Sequence, residues 1–182
     1  MPHFDRETLQ DLVAHAEWAD SEIWNAVAAT PRALDDVGIR DYLHHIHMVQ
    51  RLFVALWSGQ PPDSIVARQP SEFTLSDLRA WGRPFYSDAK AFLHAATPAR
   101  LEEPLIVPWA ATLEAEKGRP MTAPTVGETV FQVVNHTTHH RAQVSVRLRG
   151  LGGEPPLVDY IAWVWFGRPP ATELQSRLQN SP

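Results

Sequence analysis

Three histidines fall within five consecutive residues of the stretch NHTTHHRAQV, residues 135–144. His136 and His140 are four residues apart, so on a helix their imidazole rings lie one above the other on the same side. His139 is rotated by about 100° from His140 and is predicted to be a neighbour of this pair, not a member of it. Imidazole nitrogens that share a helix face are typical ligands of a divalent metal ion.

A further histidine, from an earlier helix, is predicted to complete the set. His45 shares an apolar helix face with Val49 and Leu52, whereas His44 and His47 fall on mixed or polar faces. We therefore expect His45 to be the one of these three that a helical bundle buries. Converging neutral imidazoles would bind one ion and leave it an open coordination position, and buried imidazoles need such partners. Spacing alone does not separate a metal site from a chance group of surface histidines.

The composition limits the classes of function. The chain has 182 residues with 16 basic and 21 acidic side chains, and its net charge of -5 argues against nucleic acid as a partner. It has no cysteine, so a metal site must use His, Asp, Glu or water. No apolar run reaches the roughly 20 residues that cross a bilayer, and the N-terminus does not resemble a signal peptide. We expect one cytoplasmic domain over residues 1–182, with no membrane partner.

Apolar periodicity and capping signals predict four long helices. They cover residues 5–29, 39–58, 74–96 and 126–150. Thr74 is predicted to cap the third helix, with a kink or a late start at Pro84. Thr125 and Glu128 form a capping-box pattern at the start of the fourth. Four long helices with one long connection predict an all-α four-helix bundle.

The segments on either side of the fourth helix are shorter. Residues 97–124 contain five prolines and two short apolar runs, which favour a short hairpin or an ordered crossover loop before the fourth helix. The sequence LVDYIAWVWFG, residues 157–167, is predicted to form a short C-terminal helix over one end of the core.

Several stretches, taken together and in order, resemble the DinB/YfiT-like superfamily. The segment NHTTHHRAQVSVRLRGLGGEPPLVDYIAW resembles its C-terminal signature. The segment LHHIHMVQRLFVALWSG resembles its second helix, with His45 in the ligand position and Gln50 where an acidic residue is common. AEWADSEIW resembles its first helix, and KGRPMTAPTVGETVFQVVNH resembles the lead-in to its fourth.

The resemblance implies a four-helix bundle of up-down-down-up type, usually a homodimer. It also implies a metal ion held by His45, His136 and His140, with Zn²⁺ or Ni²⁺ as the usual ions and Fe or Mn as further candidates. Some relatives are transferases that act with low-molecular-weight thiols such as mycothiol and bacillithiol. Others are isomerases of the maleylpyruvate type, and many have no known activity.

The working hypothesis is a metal-dependent enzyme that activates a small-molecule thiol for S-transfer. The alternatives are a metal-dependent hydrolase of an amide or ester, a non-catalytic metal-binding stress-response protein, and an interaction module without metal. The chain has no HExxH motif and so no built-in glutamate base, which favours the thiol reaction because a thiolate needs no such base. The sequence assigns no catalytic residue beyond the metal ligands.

Other polar residues are left with two interpretations. Arg141 and Arg147 either bind an anionic substrate or are solvated or ion-paired. Asp159 either orients a ligand imidazole or caps the last helix, and the neutral Gln50 argues against an acid–base role at its position. Three histidines without a partner pattern are predicted to lie on the surface: His3, His15 and His94.

Overall fold

The described part of the chain is built from helices. The computed structural model describes residues 4–172, and within this range it has α-helices, one short 3₁₀ turn and no β-strand. The α-helices are α1 (Arg6–Ala29), α2 (Pro31–Leu34), α3 (Val37–Trp57), α4 (Asp63–Val66), α5 (Leu75–Gly82), α6 (Pro84–Ala95), α7 (Pro98–Glu102), α8 (Ala110–Lys117), α9 (Val126–Gly150) and α10 (Tyr160–Trp165). The predicted all-α class is therefore confirmed. No helix in this range is long and apolar enough to cross a membrane.

The long helices begin where polar side chains cap them. At the start of α3, Asp36 Oδ1 accepts a hydrogen bond from the backbone N–H of Ile39 at 2.9 Å. At the start of α9, Thr125 and Glu128 form the predicted capping box, in which each side chain accepts from the other's backbone N–H at 3.2 and 2.7 Å. These caps supply partners for N–H groups that a helix leaves free, and they explain why the helices begin at or near the predicted residues.

Pro84 divides the predicted third helix into α5 and α6. Thr74 caps α5 as predicted, with its hydroxyl accepting from the N–H of Asp77 at 3.1 Å. Pro84 stands in the first turn of α6, where the missing N–H breaks no bond within that helix. The predicted kink or late start at this proline is confirmed.

Residues 97–124 hold two short helices, so the prediction of a hairpin or crossover loop is wrong for these two parts of the segment. α7 has Pro98 in its first turn, a position that tolerates proline. α8 has the sequence AATLEAEK, which consists mostly of strong helix formers, and it ends at Gly118 in the left-handed region with φ of 65°. An isolated antiparallel bridge joins Pro104 to Thr125. Local helix propensity outweighed the proline content of the segment.

The core consists of two large apolar clusters that follow one another along the long helices. The first includes Val13 of α1 and Phe53 of α3, and the second includes Val27 of α1 and Val144 of α9. A smaller third cluster joins the predicted C-terminal helix, α10, to α1. Around these clusters α9 packs against α1 and α3, and α6 packs against the same two helices.

A layer of buried polar side chains separates the two large clusters. Its members come from α1, α3 and α9: Asp20, His47, Gln50, Thr137 and Arg141. Each of them lies between residues of the first and the second cluster along its own helix. Because a buried polar group without a partner costs about 1–3 kcal/mol, these side chains must find one another inside the protein. This polar layer therefore restricts how the helices align.

Gly82, the last residue of α5, lies directly against His47 of the polar layer. A Cβ added there would lie 2.2 Å from His47 Cγ, so we predict that Gly82→Ala lowers the free energy of unfolding by about 1–3 kcal/mol. Gly150, the last residue of α9, is the matched control, because a Cβ there would meet no non-neighbouring atom within 4 Å. Urea unfolding measures both variants. Equal stabilities would contradict the close packing of α5 on His47.

Candidate metal site

His45, His136 and His140 lie together, partly buried, where α3 packs against α9. The Nε2 atom of His136 is 3.3 Å from Nε2 of His45 and 3.2 Å from Nε2 of His140. One ring nitrogen of each residue lies within 4.8 Å of the other two. The structure thus brings the predicted pair on α9 together with a histidine 91 positions earlier in the chain.

A neighbour on the same helix orients His140. Its Nδ1 lies 2.6 Å from Oε1 of Gln143, and since an amide oxygen only accepts, this contact favours the tautomer with the proton on Nδ1. In that tautomer Nε2 carries a lone pair on the side of the other two imidazoles. His136 has no comparable support, because its buried Nδ1 has no hydrogen-bond partner among residues 4–172. Gln143 has no predicted role, although a spacing of three residues from His140 is a signal of contact on one helix face.

Burial keeps at least two of these imidazoles neutral at pH 7. Desolvation, with the nearby His140 and His45 adding to it, lowers the pKa of His136 to about 4. Desolvation also lowers the pKa of His45, again with a contribution from His140. A neutral imidazole is the form that coordinates a metal ion, so no proton has to be displaced from His45 or His136 at neutral pH.

An apolar cavity of about 890 Å³ adjoins the three histidines. His45 and His136 form part of its wall. The rest of the wall consists mainly of apolar side chains from α3, α9 and the segment that precedes α9. The histidine group therefore has both nitrogen ligands and space for a small molecule beside them.

The prediction that His45 is the buried one of the three histidines on α3 is wrong. His44 and His47, which were expected on mixed or polar faces, are buried, and His45 is more exposed than either. The ring of His44 stacks on Trp81 of α5 with the ring centroids 5.6 Å apart. His47 is 2% exposed, and its Nε2 accepts a hydrogen bond from Trp24 Nε1 at 3.2 Å. The reason is that α5, α6 and α9 all pack against α3, so this helix has no single buried face.

Gln50 lies in the polar layer, where it contacts His47 of its own helix and one residue on each of three other helices. Its Oε1 accepts from Nδ1 of His47 at 2.9 Å. Its Nε2 is within hydrogen-bond distance of Asp20 Oδ2 at 3.1 Å, the Tyr86 hydroxyl at 3.0 Å and the Thr137 hydroxyl at 3.3 Å. A neutral amide suits this position because it donates and accepts at once. The residue at this position is therefore a structural link between helices.

Arg141 is ion-paired inside the protein. Of its two predicted interpretations, binding of an anionic substrate and solvation or ion pairing, the structure therefore favours the second. Its Nη1 lies 2.9 Å from Oδ1 of Asp20, and both side chains are almost completely buried. Its Nη2 donates to the Thr138 hydroxyl at 2.8 Å. The Tyr86 hydroxyl donates to the same aspartate, and burial beside that charge raises the pKa of Tyr86 well above its usual value. These contacts occupy Arg141, so it does not provide a subsite for an anionic substrate.

The other predicted polar candidates have separate surroundings. Arg147 is paired with Asp36, with Nη2 and Oδ2 2.6 Å apart. Asp159 is exposed at the start of α10 and makes no side-chain capping bond, so the capping interpretation is wrong, and its role toward a ligand imidazole stays a prediction. His139 is exposed, with its Nε2 3.3 Å from Nε2 of Gln143.

The surface prediction for the remaining histidines holds in part. His15 is buried, which contradicts it, because the segment before α10 folds back onto α1. Its Nε2 donates to the Val158 carbonyl at 3.0 Å, and its ring packs against Trp163. His94 is exposed as predicted. His3 lies outside the described residues.

A comparison with protein-family models matched residues 4–170 to the model of the DinB family. Comparisons with curated proteins and with solved structures found no significant match. The matched range extends from α1 to α10 and includes all three histidines of the candidate site. The family and the three-histidine group together suggest a metal-dependent enzyme that uses a divalent ion.

We predict that His136 titrates near pH 4 in protein prepared without metal, because burial and the neighbouring imidazoles oppose its protonation. NMR of the imidazole Cε1–Hε1 signals as a function of pH measures this, and a His136→Gln variant identifies the signal. Unfolding releases the histidine to its ordinary pKa of about 6.5. The contribution of His136 to stability should therefore be lost as the pH falls from 6.5 toward 4. A midpoint near 6.5 in the folded protein would contradict the described burial.

Proposed function

The chain belongs to the DinB family, and we propose that it is an enzyme that uses a divalent metal ion held by His45, His136 and His140. The observation that carries this proposal is the convergence of three Nε2 atoms, two of them 3.3 and 3.2 Å from the third. Without an ion, the three nitrogens satisfy one another only through N–H···N contacts, whereas an ion accepts a lone pair from each.

The donor set fits a divalent ion of intermediate softness. Imidazole nitrogens suit Zn²⁺ and Ni²⁺, which we propose first, with Fe and Mn as further candidates. The hydrogen bond between His140 Nδ1 and Gln143 supports coordination, because it leaves Nε2 free and fixes the ring. Three neutral ligands leave the double charge of an ion uncompensated, and an ion bound there lowers the pKa of a coordinated thiol or water.

We propose thiol S-transfer as the reaction, with hydrolysis of an amide or ester as the alternative. In S-transfer the thiol loses its proton to solvent, its sulfur forms a bond to an electrophilic carbon, and the leaving group departs with the electron pair of the bond that breaks. This route needs no carboxylate base, and the histidine group contains no carboxylate. Glu128, an acidic side chain of the cavity wall, is already bonded to the backbone N–H of Thr125 as part of the helix cap.

The packing of α1, α3, α6 and α9 supports a four-helix bundle of up-down-down-up type, which we propose as the architecture. We also propose a cytoplasmic homodimer whose small-molecule substrates reach the histidines through the adjoining cavity. The exposed apolar side chains of Ile161 and Trp165 on α10, 50% and 74% exposed, support an additional contact between copies of the chain.

We predict that wild-type protein, expressed without a histidine tag, binds about one equivalent of metal, and that His45→Ala or His140→Ala abolishes this binding. Loss of one of three ligands removes a direct bond to the ion and typically leaves the site too weak to retain it. Elemental analysis of the purified proteins measures the metal content. The control is His139→Ala, which removes an exposed imidazole next to His140 and should leave the metal content unchanged. Stoichiometric metal in His45→Ala would exclude the proposed ligand set.

We predict that the metal-loaded protein conjugates a low-molecular-weight thiol to chlorodinitrobenzene, and that a chelator or His140→Ala abolishes this turnover. The reaction is followed by absorbance of the thioether, with cysteine, mycothiol and bacillithiol as thiols. Hydrolysis of a nitrophenyl ester by the same preparation tests the alternative. Metal-dependent ester hydrolysis without thiol transfer would contradict the transferase proposal and favour the hydrolase. Metal binding with neither activity would favour a non-catalytic metal-binding protein.

A further inference from the structure

The cavity beside the three histidines has walls that point to one class of ligand. Its volume of about 890 Å³ lies in the range of sites that enclose small organic molecules. Phe4 and Phe131 stack on one another with ring centroids 4.7 Å apart, and both line the cavity. Phe53 and Trp109 meet edge to face at 5.7 Å and also line it. Aromatic surfaces in these arrangements pack well against a flat aromatic ligand.

The charges of the wall discriminate against anions. Among the described residues that line the cavity there is no lysine and no arginine. Glu128 contributes a carboxyl group, whose oxygen accepts the backbone N–H of Thr125 in the helix cap. An anionic ligand would therefore lose its hydration without gaining a cationic partner from the wall.

The remaining polar groups of the wall are few, and most are engaged. The Thr129 hydroxyl donates to the Val126 carbonyl at 2.7 Å and accepts from Trp57 Nε1 at 2.9 Å. Gln132 is exposed at the surface of α9. His45 and His136 supply the imidazole nitrogens of the wall, and the part of the cavity beside them is its histidine end.

We propose that this cavity binds a neutral, predominantly apolar aromatic molecule whose polar or reactive group lies at the end formed by His45 and His136. This assignment of a ligand class rests on the cavity wall. Its extension to catalysis rests on the proposed function: the electrophilic substrate of the thiol transfer is then a predominantly apolar aromatic compound whose ring lies against this wall.

Two fluorescent probes that differ by one charge test the ligand class. N-phenylnaphthylamine is neutral, and anilinonaphthalene sulfonate carries a sulfonate on the same ring system. In titrations of metal-free protein, the neutral probe should bind at least about tenfold more tightly. Metal-free protein is used so that a failure of the metal proposal leaves this result unaffected. Equal or tighter binding of the sulfonate would overturn the proposal.

Variants of the wall locate the bound probe. Val49→Trp fills part of the cavity and should weaken the binding of the neutral probe by at least about tenfold. Gln132→Lys places a cation at the exposed edge of the cavity and should tighten the binding of the sulfonate probe several-fold. Val146→Lys, on an exposed position of α9 outside the wall, is the matched control and should change neither probe. Because Gln132 is exposed, its variant should fold, and it tests whether the probe lies in this cavity even if Val49→Trp fails to fold. Identical effects of the two lysine variants would overturn the proposal.

Competition links the cavity to the proposed reaction. Chlorodinitrobenzene should displace the neutral probe from metal-free protein, whereas chloronitrobenzoate, which replaces one nitro group by a carboxylate, should not. Displacement without any turnover in the metal-loaded protein would leave the ligand class intact and remove the transferase. Turnover of chlorodinitrobenzene without displacement of the probe would show that the electrophile binds elsewhere and would overturn the inference.

Discussion

The buried side chain of Gln50 and the ion pair beside it hold the long helices in one alignment. Gln50 of α3 bonds to Asp20 of α1, which is paired with Arg141 of α9. Sliding α3 along α9 would separate the Gln50 amide from Asp20 and from Thr137 of α9, and a buried polar group left without partners costs about 1–3 kcal/mol. Sliding α1 along α9 would break the ion pair between Asp20 and Arg141, and an unpaired buried charge costs about 3–5 kcal/mol. The same alignment places Nε2 of His45 3.3 Å from Nε2 of His136. The polar layer therefore fixes the geometry on which the candidate metal site depends, although none of its members is a proposed ligand.

The surroundings of the three histidines give the protein and a bound ion different roles in the proposed reaction. The cavity wall offers apolar and aromatic contact, and among its described residues it has no lysine and no arginine. His45 and His136 are neutral at pH 7 because burial lowers the pKa of each. A bound ion would then be the principal positive charge in the site, so activation would depend on the ion and substrate selection on the shape and polarity of the wall. That division suits a thiol nucleophile, which needs to lose one proton and requires no further base.

Local signals in the sequence predicted the local structure, but they did not predict contacts between distant segments of the chain. The capping box at Thr125 predicted the start of α9, and the four-residue spacing predicted that His136 and its partner share a face. The burial of His47 could not be predicted, because a helical wheel assumes one buried face and α3 has packed neighbours on several sides. The role of Arg141 stayed open for a similar reason, since its partner Asp20 is 121 residues away. The family resemblance indicated His45 as the third histidine, whereas spacing alone was too weak and the burial predicted from the apolar stripe was wrong.

The central claim is that three imidazoles from two helices share one divalent ion. X-ray absorption spectroscopy of the zinc-loaded protein tests it most directly, because the fine structure reports the number of imidazole ligands and their distances. We predict three imidazole nitrogens at about 2.0–2.1 Å, with the remaining coordination supplied by a light, exchangeable donor. A spectrum with one imidazole or none, or with ligands that are all carboxylate and water oxygens, would contradict it.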